Sequence, residues 1–200
     1  GALPQIRLGV PIEVDLLRRD FTVNTIALAL TGPCSGKLFD PLEGLRDLKA
    51  GHLKALHSHS FRDDATRLWR GAQYAVGLKL RPDAQTARWI ADAPRWIATI
   101  SGHRIWAELI NIAMRQHIAA TIRLLDKWGA FVGVHPEWSP GAKAVQALNR
   151  RPGPHPLDLL LAVLLGNIPQ REMILNRLAA PKVARRIVND TARLLTTRDS

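Results

Sequence analysis

Several things are scarce in this 200-residue chain, and each shortage narrows what it can be. There is one cysteine, Cys34, so no intramolecular disulfide framework is available and a reducing compartment, the cytoplasm, is the expectation. Long apolar runs are absent. The longest, Leu157 to Leu165, contains Asp158 and is well short of the roughly 20 apolar residues that span a bilayer, so no membrane partner is expected. The start, Gly-Ala-Leu-Pro, has neither the basic nor the apolar region of a signal peptide and no initiator methionine, as in a segment excised from a longer polypeptide or a chain with a processed or trimmed terminus. Acid is also short: 17 Asp and Glu face 28 Lys and Arg, for a net charge of +11 and a pI near 11.0. A field of that sign favours polyanions, nucleic acid first and an anionic membrane surface second, although an arginine-rich proteome would give the same composition.

What is present reads as a mostly helical chain. The first dozen residues, with Pro4, Gly9 and Pro11, suit an extended connector. Leu17, Phe21 and Leu28 form an apolar stripe that predicts a helix from Asp15 to Leu30, ended by Thr31-Gly-Pro-Cys-Ser-Gly. Short strands are expected near Lys37–Asp40 and His52–Ala55, flanking a helical turn or two. Beyond Ser60 little strand is evident. Helices are expected over Phe61–Leu78, Asp83–Asp92, Arg104–Ile118, Ala119–Trp128, Leu157–Leu165, Gln170–Leu178 and Lys182–Thr196. The looser stretch 129–156 holds room for a short helix over Ala142–Leu148. Trp69, Trp89, Trp96 and Trp106 fall in these helices, where core packing is the default. His57-Ser-His59 has no partners at metal-ligand spacing, and Arg150-Arg151 and Arg185-Arg186 read as solvated faces.

Four segments carry more information. They are Asp15-Leu-Leu-Arg-Arg-Asp-Phe-Thr-Val-Asn, Asp40-Pro-Leu-Glu-Gly-Leu-Arg-Asp-Leu, Phe61-Arg-Asp-Asp-Ala-Thr-Arg-Leu-Trp-Arg and Ile100-Ser-Gly-His-Arg-Ile-Trp-Ala-Glu-Leu. In the first, Asp20 and Asn24 stand four apart and would share a helix face, where a carboxylate beside an amide can grip ribose hydroxyls. Arg18 and Arg19 can supply fork donors to phosphate. Spacing alone would equally fit a solvated, charged first turn, and in the third segment Asp63 and Arg67 would equally make a surface i,i+4 pair worth about 0.3–0.5 kcal/mol.

Taken in order, the four segments resemble the class II tRNA nucleotidyltransferase and poly(A) polymerase family, the CCA-adding or A-adding enzymes, over residues 2 to about 138. The first matches the family's D-L-x-R-R-D-F-T-x-N signature for nucleotide sugar and phosphates. The second resembles D-P-x-x-G-x-x-D-L, the third E-D-x-x-R-x-x-R, and the fourth S-G-E-R-I-x-x-E-L. The resemblance implies a mainly α fold, with a small α/β remnant of a polymerase-β-like nucleotidyltransferase head (residues 1–58), a helical neck (59–118) and a helical body (119–200). It implies nucleotide-binding roles for Arg18, Arg19, Asp20, Asn24, Asp64, Arg67 and Arg70. It places a base-reading template on Asp64 and Arg67. Adenine and cytosine both offer an amine donor beside a ring-nitrogen acceptor, which a carboxylate and a guanidinium complement, whereas guanine and uracil reverse that pattern. ATP, CTP and the 3′ end of tRNA or another RNA are the implied partners, and magnesium the implied metal of the complete enzyme.

The family's metal-binding D-x-D strand, which follows a Gly-Ser turn upstream of R-R-D-F, has no counterpart here. Glu13 and Asp15 are two apart but lack that turn, and they suit the start of a helix, where they complement its dipole. No catalytic or metal-ligating residue is therefore expected within this chain, which is expected to be inactive alone. Other departures are Asp63 for glutamate, Ala65 for proline, His103 for glutamate, Gln73-Tyr74 for Arg-Phe, and Gly77 for arginine. A non-catalytic RNA-binding module derived from such an enzyme, and a plain helical interaction protein, are the alternatives.

Overall fold

The computed structural model describes residues 9–150 and 153–196. The first eight residues of the connector and Arg151 therefore lie outside the described residues. Among these residues twelve α-helices and four two-residue strands follow one another, with the strands confined to the first 82 positions. The mainly α expectation is met.

The N-terminal part departs most from periodicity. Helix α1 covers only Ile12–Leu17, where a helix to Leu30 is expected from the apolar stripe. After it the chain turns extended at Phe21 (φ −134°), makes a single 3-10 turn over Thr22–Asn24, and enters strand β1, Ala27–Leu28. Tertiary pairing overrides the stripe. Phe21 bridges Ala55, and the Thr22 N–H donates to the Lys54 carbonyl at 2.9 Å. The Phe21 ring is thereby delivered, fully buried, against Phe61 and the edge of Tyr74, 6.4 and 5.9 Å between centroids. Burying one such ring is worth about 1.5–3 kcal/mol, more than continuing a helix whose outer face would be charged. Strand β2, Leu38–Phe39, pairs antiparallel with β1, Leu28 opposite Leu38.

Helix α2, Gly44–Ala50, explains the second motif. The Asp40 carboxylate accepts from the Gly44 and Leu45 N–H groups at 2.6 and 3.0 Å, capping the helix start. Gly44 lies so close to the Thr22 carbonyl that a Cβ there would sit 2.8 Å from the Thr22 carbonyl carbon. Asp47, buried, accepts from Thr22 Oγ1 at 2.8 Å. The D-P-x-x-G-x-x-D pattern thus buttresses the turn that carries the first motif.

Strand β3, His52–Leu53, pairs in parallel with β4, Arg81–Pro82, a strand that the sequence reading did not place. The helix expected over Phe61–Leu78 is two: α3, Ser60–Asp63, and α4, Thr66–Gly77. The break is at Asp64, extended at φ −151°, whose Oδ1 accepts from the Thr66 N–H and Oγ1 at 3.0 and 2.6 Å, an Asx-type start for α4. Helix α5, Ala84–Asp92, is capped by Asp83, which accepts from the Thr86 N–H at 2.8 Å.

Helix α6, Gly102–Ala113, ends five residues earlier than expected, and its final carbonyl, on Ala113, accepts from the His155 N–H at 2.8 Å. Helix α7 is Ile118–Lys127. The loose stretch after it holds two helices, α8 (Ala130–Val134) and α9 (Gly141–Asn149), the second where a short helix is expected. Trp69, Phe131 and Trp138 are all fully buried and pack in series, the first pair edge to face and the second tilted, with ring centroids 5.4 and 4.8 Å apart. Trp89, Trp96 and Trp106 pack half-buried against the core, so the tryptophans serve packing as read. Helices α10 (Leu157–Leu165), α11 (Arg171–Arg177) and α12 (Lys182–Thr196) close the chain where periodicity puts them. α12 buries Ala184, Val188 and Ala192, one turn apart each, against α10. No helix among the described residues is long and apolar enough to cross a membrane.

Candidate nucleotide-binding cleft

A cleft of about 260 Å³ opens where the first motif meets α4, lined by Arg18, Arg19, Asp20, Asn24, Arg70 and Tyr74. Five of the seven residues singled out from the sequence therefore share one concavity. Asp20 and Asn24 reach it without the helix the spacing suggested, because the turn after Phe21 brings both to the same side.

Charge in the cleft is ordered by two carboxylates. Asp15 accepts from the guanidiniums of both Arg18 and Arg19, and those bonds, Arg19's first and Arg18's next, hold its carboxyl below the usual range. The two arginines are thus gathered into one double-forked cation, with side chains 76% and 49% exposed and free to face a ligand. Asp20 is buried; its Oδ1 accepts from the Phe21 N–H at 3.2 Å and its Oδ2 lies 2.9 Å from Arg70 Nε. That ion pair is out of line for a hydrogen bond, which leaves Arg70 Nε without one. Asn24 Oδ1 is buried and also lacks a partner. An unmet buried acceptor costs about 1–3 kcal/mol, a deficit that a hydroxyl donor entering the cleft would remove.

Asp64 and Arg67 stand just behind. Asp64 Oδ2 bonds Arg104 Nη2 at 2.8 Å and lies 3.9 Å from Arg70 Nη2. Burial acts to raise the Asp64 pKa, but the hydrogen bonds from Thr66 and the charge of Arg104 outweigh it and hold the carboxyl below its usual value. Arg67 Nη1 donates to Ser60 Oγ at 2.7 Å and its Nη2 to the Arg18 carbonyl at 3.4 Å, while its Nε is buried and unbonded. The surface pair Asp63–Arg67 is not formed, because the break at Asp64 puts the two on different helices; Asp63 instead sits 4.0 Å from Arg62.

Three residues of this region were not singled out from the sequence: Arg104, Glu108 and Tyr74. Glu108 is buried, and burial pushes its carboxyl above the usual range, against the charge of Arg70 and hydrogen bonds from Gln73 and Asn111. Arg104 and Glu108 are the R and E of the S-G-x-R-I-x-x-E-L segment, one turn apart on α6, so the signal was present as motif spacing. Gly102 of that segment packs directly on the backbone of Arg177 and Leu178. Arg177 in turn donates to the Ile97 and Ile100 carbonyls at 2.9 and 2.8 Å, fixing α6 to the body.

Residues 4–54 match the family described as Poly A polymerase head domain, and residues 79–141 match that described as probable RNA and SrmB-binding site of polymerase A. An A-adding tRNA nucleotidyltransferase of Halalkalibacterium halodurans is 42% identical over 141 residues, 67% of this chain and 33% of that protein. A CC-adding tRNA nucleotidyltransferase of Deinococcus radiodurans is 38% identical over 117 residues, 58% of this chain and 30% of that protein. The structure of a CCA-adding enzyme with ATP superposes with a TM-score of 0.79 at 23% identity, over 93% of this chain and 48% of that one, and shares its fold. The chain thus spans about a third of the length of these two curated relatives and about half of this solved chain.

Proposed function

Because the chain belongs to the class II tRNA nucleotidyltransferase and poly(A) polymerase family, we propose that it is the nucleotide- and RNA-binding portion of a cytoplasmic enzyme adding C, A or both to tRNA 3′ ends. The observation that carries this reading is the cleft that gathers Arg18, Arg19, Asp20, Asn24 and Arg70 around an unpartnered buried Asn24 oxygen. Arg18 and Arg19, held together by Asp15, take the triphosphate by fork-type hydrogen bonds. Asn24 accepts from a ribose hydroxyl, and Asp20 orients Arg70 while remaining an acceptor for the same sugar. Asp64 and Arg67 read the base: Oδ2 of Asp64 accepts from the exocyclic amine of adenine or cytosine as Arg104 gives way, and Arg67 donates to the ring nitrogen after releasing the long bond to the Arg18 carbonyl. In this reading residues 1–58 are head, 59–118 neck and 119–200 body. The relatives being enzymes, the accessory-module alternative is not favoured.

Nucleotidyl transfer in this family is metal-dependent. Among the described residues no group of three or more His, Cys, Asp or Glu side chains stands together to hold a metal ion, and Asp15 is already bound by two arginines. Asp15, so committed, is a poor ligand for a catalytic metal, and magnesium with its ligands would lie in the remainder of the protein. The exposed apolar side chains Val14, Leu17, Leu28, Leu30 and Leu38 on α1 and the β1–β2 hairpin support a larger head packing there.

Equilibrium binding of the four ribonucleoside triphosphates to the purified chain tests the reading. ATP and CTP should bind more tightly than GTP and UTP. Arg67→Ala should erase about 1–3 kcal/mol of that preference, by analogy with base-edge readout, and Asp64→Asn should shift it toward GTP and UTP. Ratios unchanged in both variants, with the helical spectrum intact, would remove the template from the proposal.

A further inference from the structure

On the far side of Tyr74 from the nucleotide cleft lies a larger groove of about 410 Å³, lined by Gln73, Tyr74, Leu78, Arg115, His117 and Thr121 among others. Tyr74 is the shared wall: one flank faces the cleft of Arg18 and Arg70, the other this groove. At its far end the groove meets a second, smaller hollow of about 160 Å³ through Gln116 and His117, which line both. Three concavities therefore adjoin one another through shared walls, from the end of the first motif to the start of α7.

We infer that this groove seats an unpaired nucleotide of single-stranded RNA, the RNA strand leaving the nucleotide cleft across α4 and past the start of α7. Four observations commit it to that occupant. Its floor is apolar and aromatic, from Tyr74, Val76 and Leu78, with Leu78 48% exposed. A base has a face for such a floor, and stacking needs no particular sequence. Its rim carries Arg115, exposed and in no ion pair among the described residues, on a chain with net charge +11, so the rim suits a phosphate. Gly77 leaves the volume open: a Cβ there would meet nothing within 4 Å, where the family pattern carries an arginine. Finally, the groove adjoins a cleft whose own cations, Arg18, Arg19 and Arg70, face the same polyanion. The base stacks beside Tyr74, Arg115 holds the adjoining phosphate, and Gln73, Gln116 and Thr121 offer polar edges.

The inference rests on the proposed function, and its test separates the two. A fluorescent single-stranded RNA of about ten nucleotides and a fluorescent ATP are titrated separately into the full chain and into Gly77→Trp, Arg115→Ala and Arg70→Ala. Gly77→Trp, at a position where the added Cβ meets nothing within 4 Å, places an indole at the groove and should weaken RNA binding about tenfold while leaving ATP affinity alone. Arg115→Ala should weaken RNA binding severalfold and lower the slope of log affinity against log salt by about one, again without touching ATP. RNA binding unchanged by both variants, with circular dichroism and Tm preserved, would overturn the groove. So would equal loss of ATP in Gly77→Trp, which would place the nucleotide itself there. ATP affinity insensitive to Arg70→Ala, with the RNA effects as expected, would instead remove the cleft reading and leave the groove standing.

Discussion

Gly44→Ala sets two effects of opposite sign against each other. Gly44 is the first residue of α2, where alanine is the better helix former by up to about 1 kcal/mol. Against that gain stands the close approach to the Thr22 backbone. The new Cβ would lie inside contact distance of the Thr22 carbonyl oxygen, 2.8 Å from its carbon and 3.0 Å from Ile26 Cγ1. Two of these three atoms are backbone and cannot rotate away, so α2 must retreat from the 3-10 turn. That retreat strains the bond from Thr22 Oγ1 to buried Asp47 and the Asp40 cap on the Gly44 N–H. Overpacking of this kind costs about 1–3 kcal/mol, and the strained hydrogen bonds add about 0.5–1.5 kcal/mol. The net loss is about 0.5–4.5 kcal/mol, or roughly 1–18 °C in Tm for a chain of this size. Because Asn24 belongs to the displaced turn, ATP affinity should fall with it although residue 44 touches no ligand. Differential scanning calorimetry and an ATP titration on the same preparation check both halves. A Tm equal to or above that of the parent would show that helix propensity wins and that the second motif does not support the first.

Other consequences follow from the same contacts. Phe21→Ala should cost about 3–5 kcal/mol by urea denaturation, since the ring is fully buried against Phe61, Tyr74 and Gly71; a loss below 1 kcal/mol would contradict a structural role for that motif position. Glu108 and Asp64 should shape the pH dependence in opposite senses. The folded pKa of Glu108 is raised, so folded protein holds that proton longer than unfolded and stability declines as pH rises from about the unfolded value of 4.5 through the folded one. The folded pKa of Asp64 is lowered, so its contribution is present above about 3.8 and is lost as pH falls through the folded value. Urea midpoints from pH 3 to 8 for Glu108→Gln against the parent should therefore converge toward, then favour, the variant as pH rises; parallel curves would refute the burial argument. In amide hydrogen exchange, α1 and the two-residue β1–β2 pair, with exposed apolar faces, should exchange well before α4, α7 and α10, and equal protection would show the N-terminal unit to be as stable as the core.

The helices of the body were legible because each answers to a local rule. α12 repeats its small apolar residues every four positions, and α10 is an apolar run, interrupted only by Asp158 in its first turn, bounded by Pro156 and Gly166; local pattern places both correctly. The cleft residues were legible through the order of four short motifs, which names side chains without saying how they meet. What the sequence could not decide lay where a long-range contact outweighs a local preference. The apolar stripe through Phe21 is compatible with a helix to Leu30, and only the Lys54 carbonyl, the Ala55 bridge and the buried site between Phe61 and Tyr74 turn it into a strand entry. In the same way Asp63 and Arg67 are spaced for a surface pair, but Asp64, by accepting from Thr66 and Arg104, breaks the helix between them and sends Arg67 to Ser60. Local spacing encodes which residues could share a helix face. Which of those faces exists depends on partners tens of positions away, the Lys54 carbonyl that accepts from Thr22 and the Arg104 guanidinium that donates to Asp64, and those bonds form only when the chain has folded.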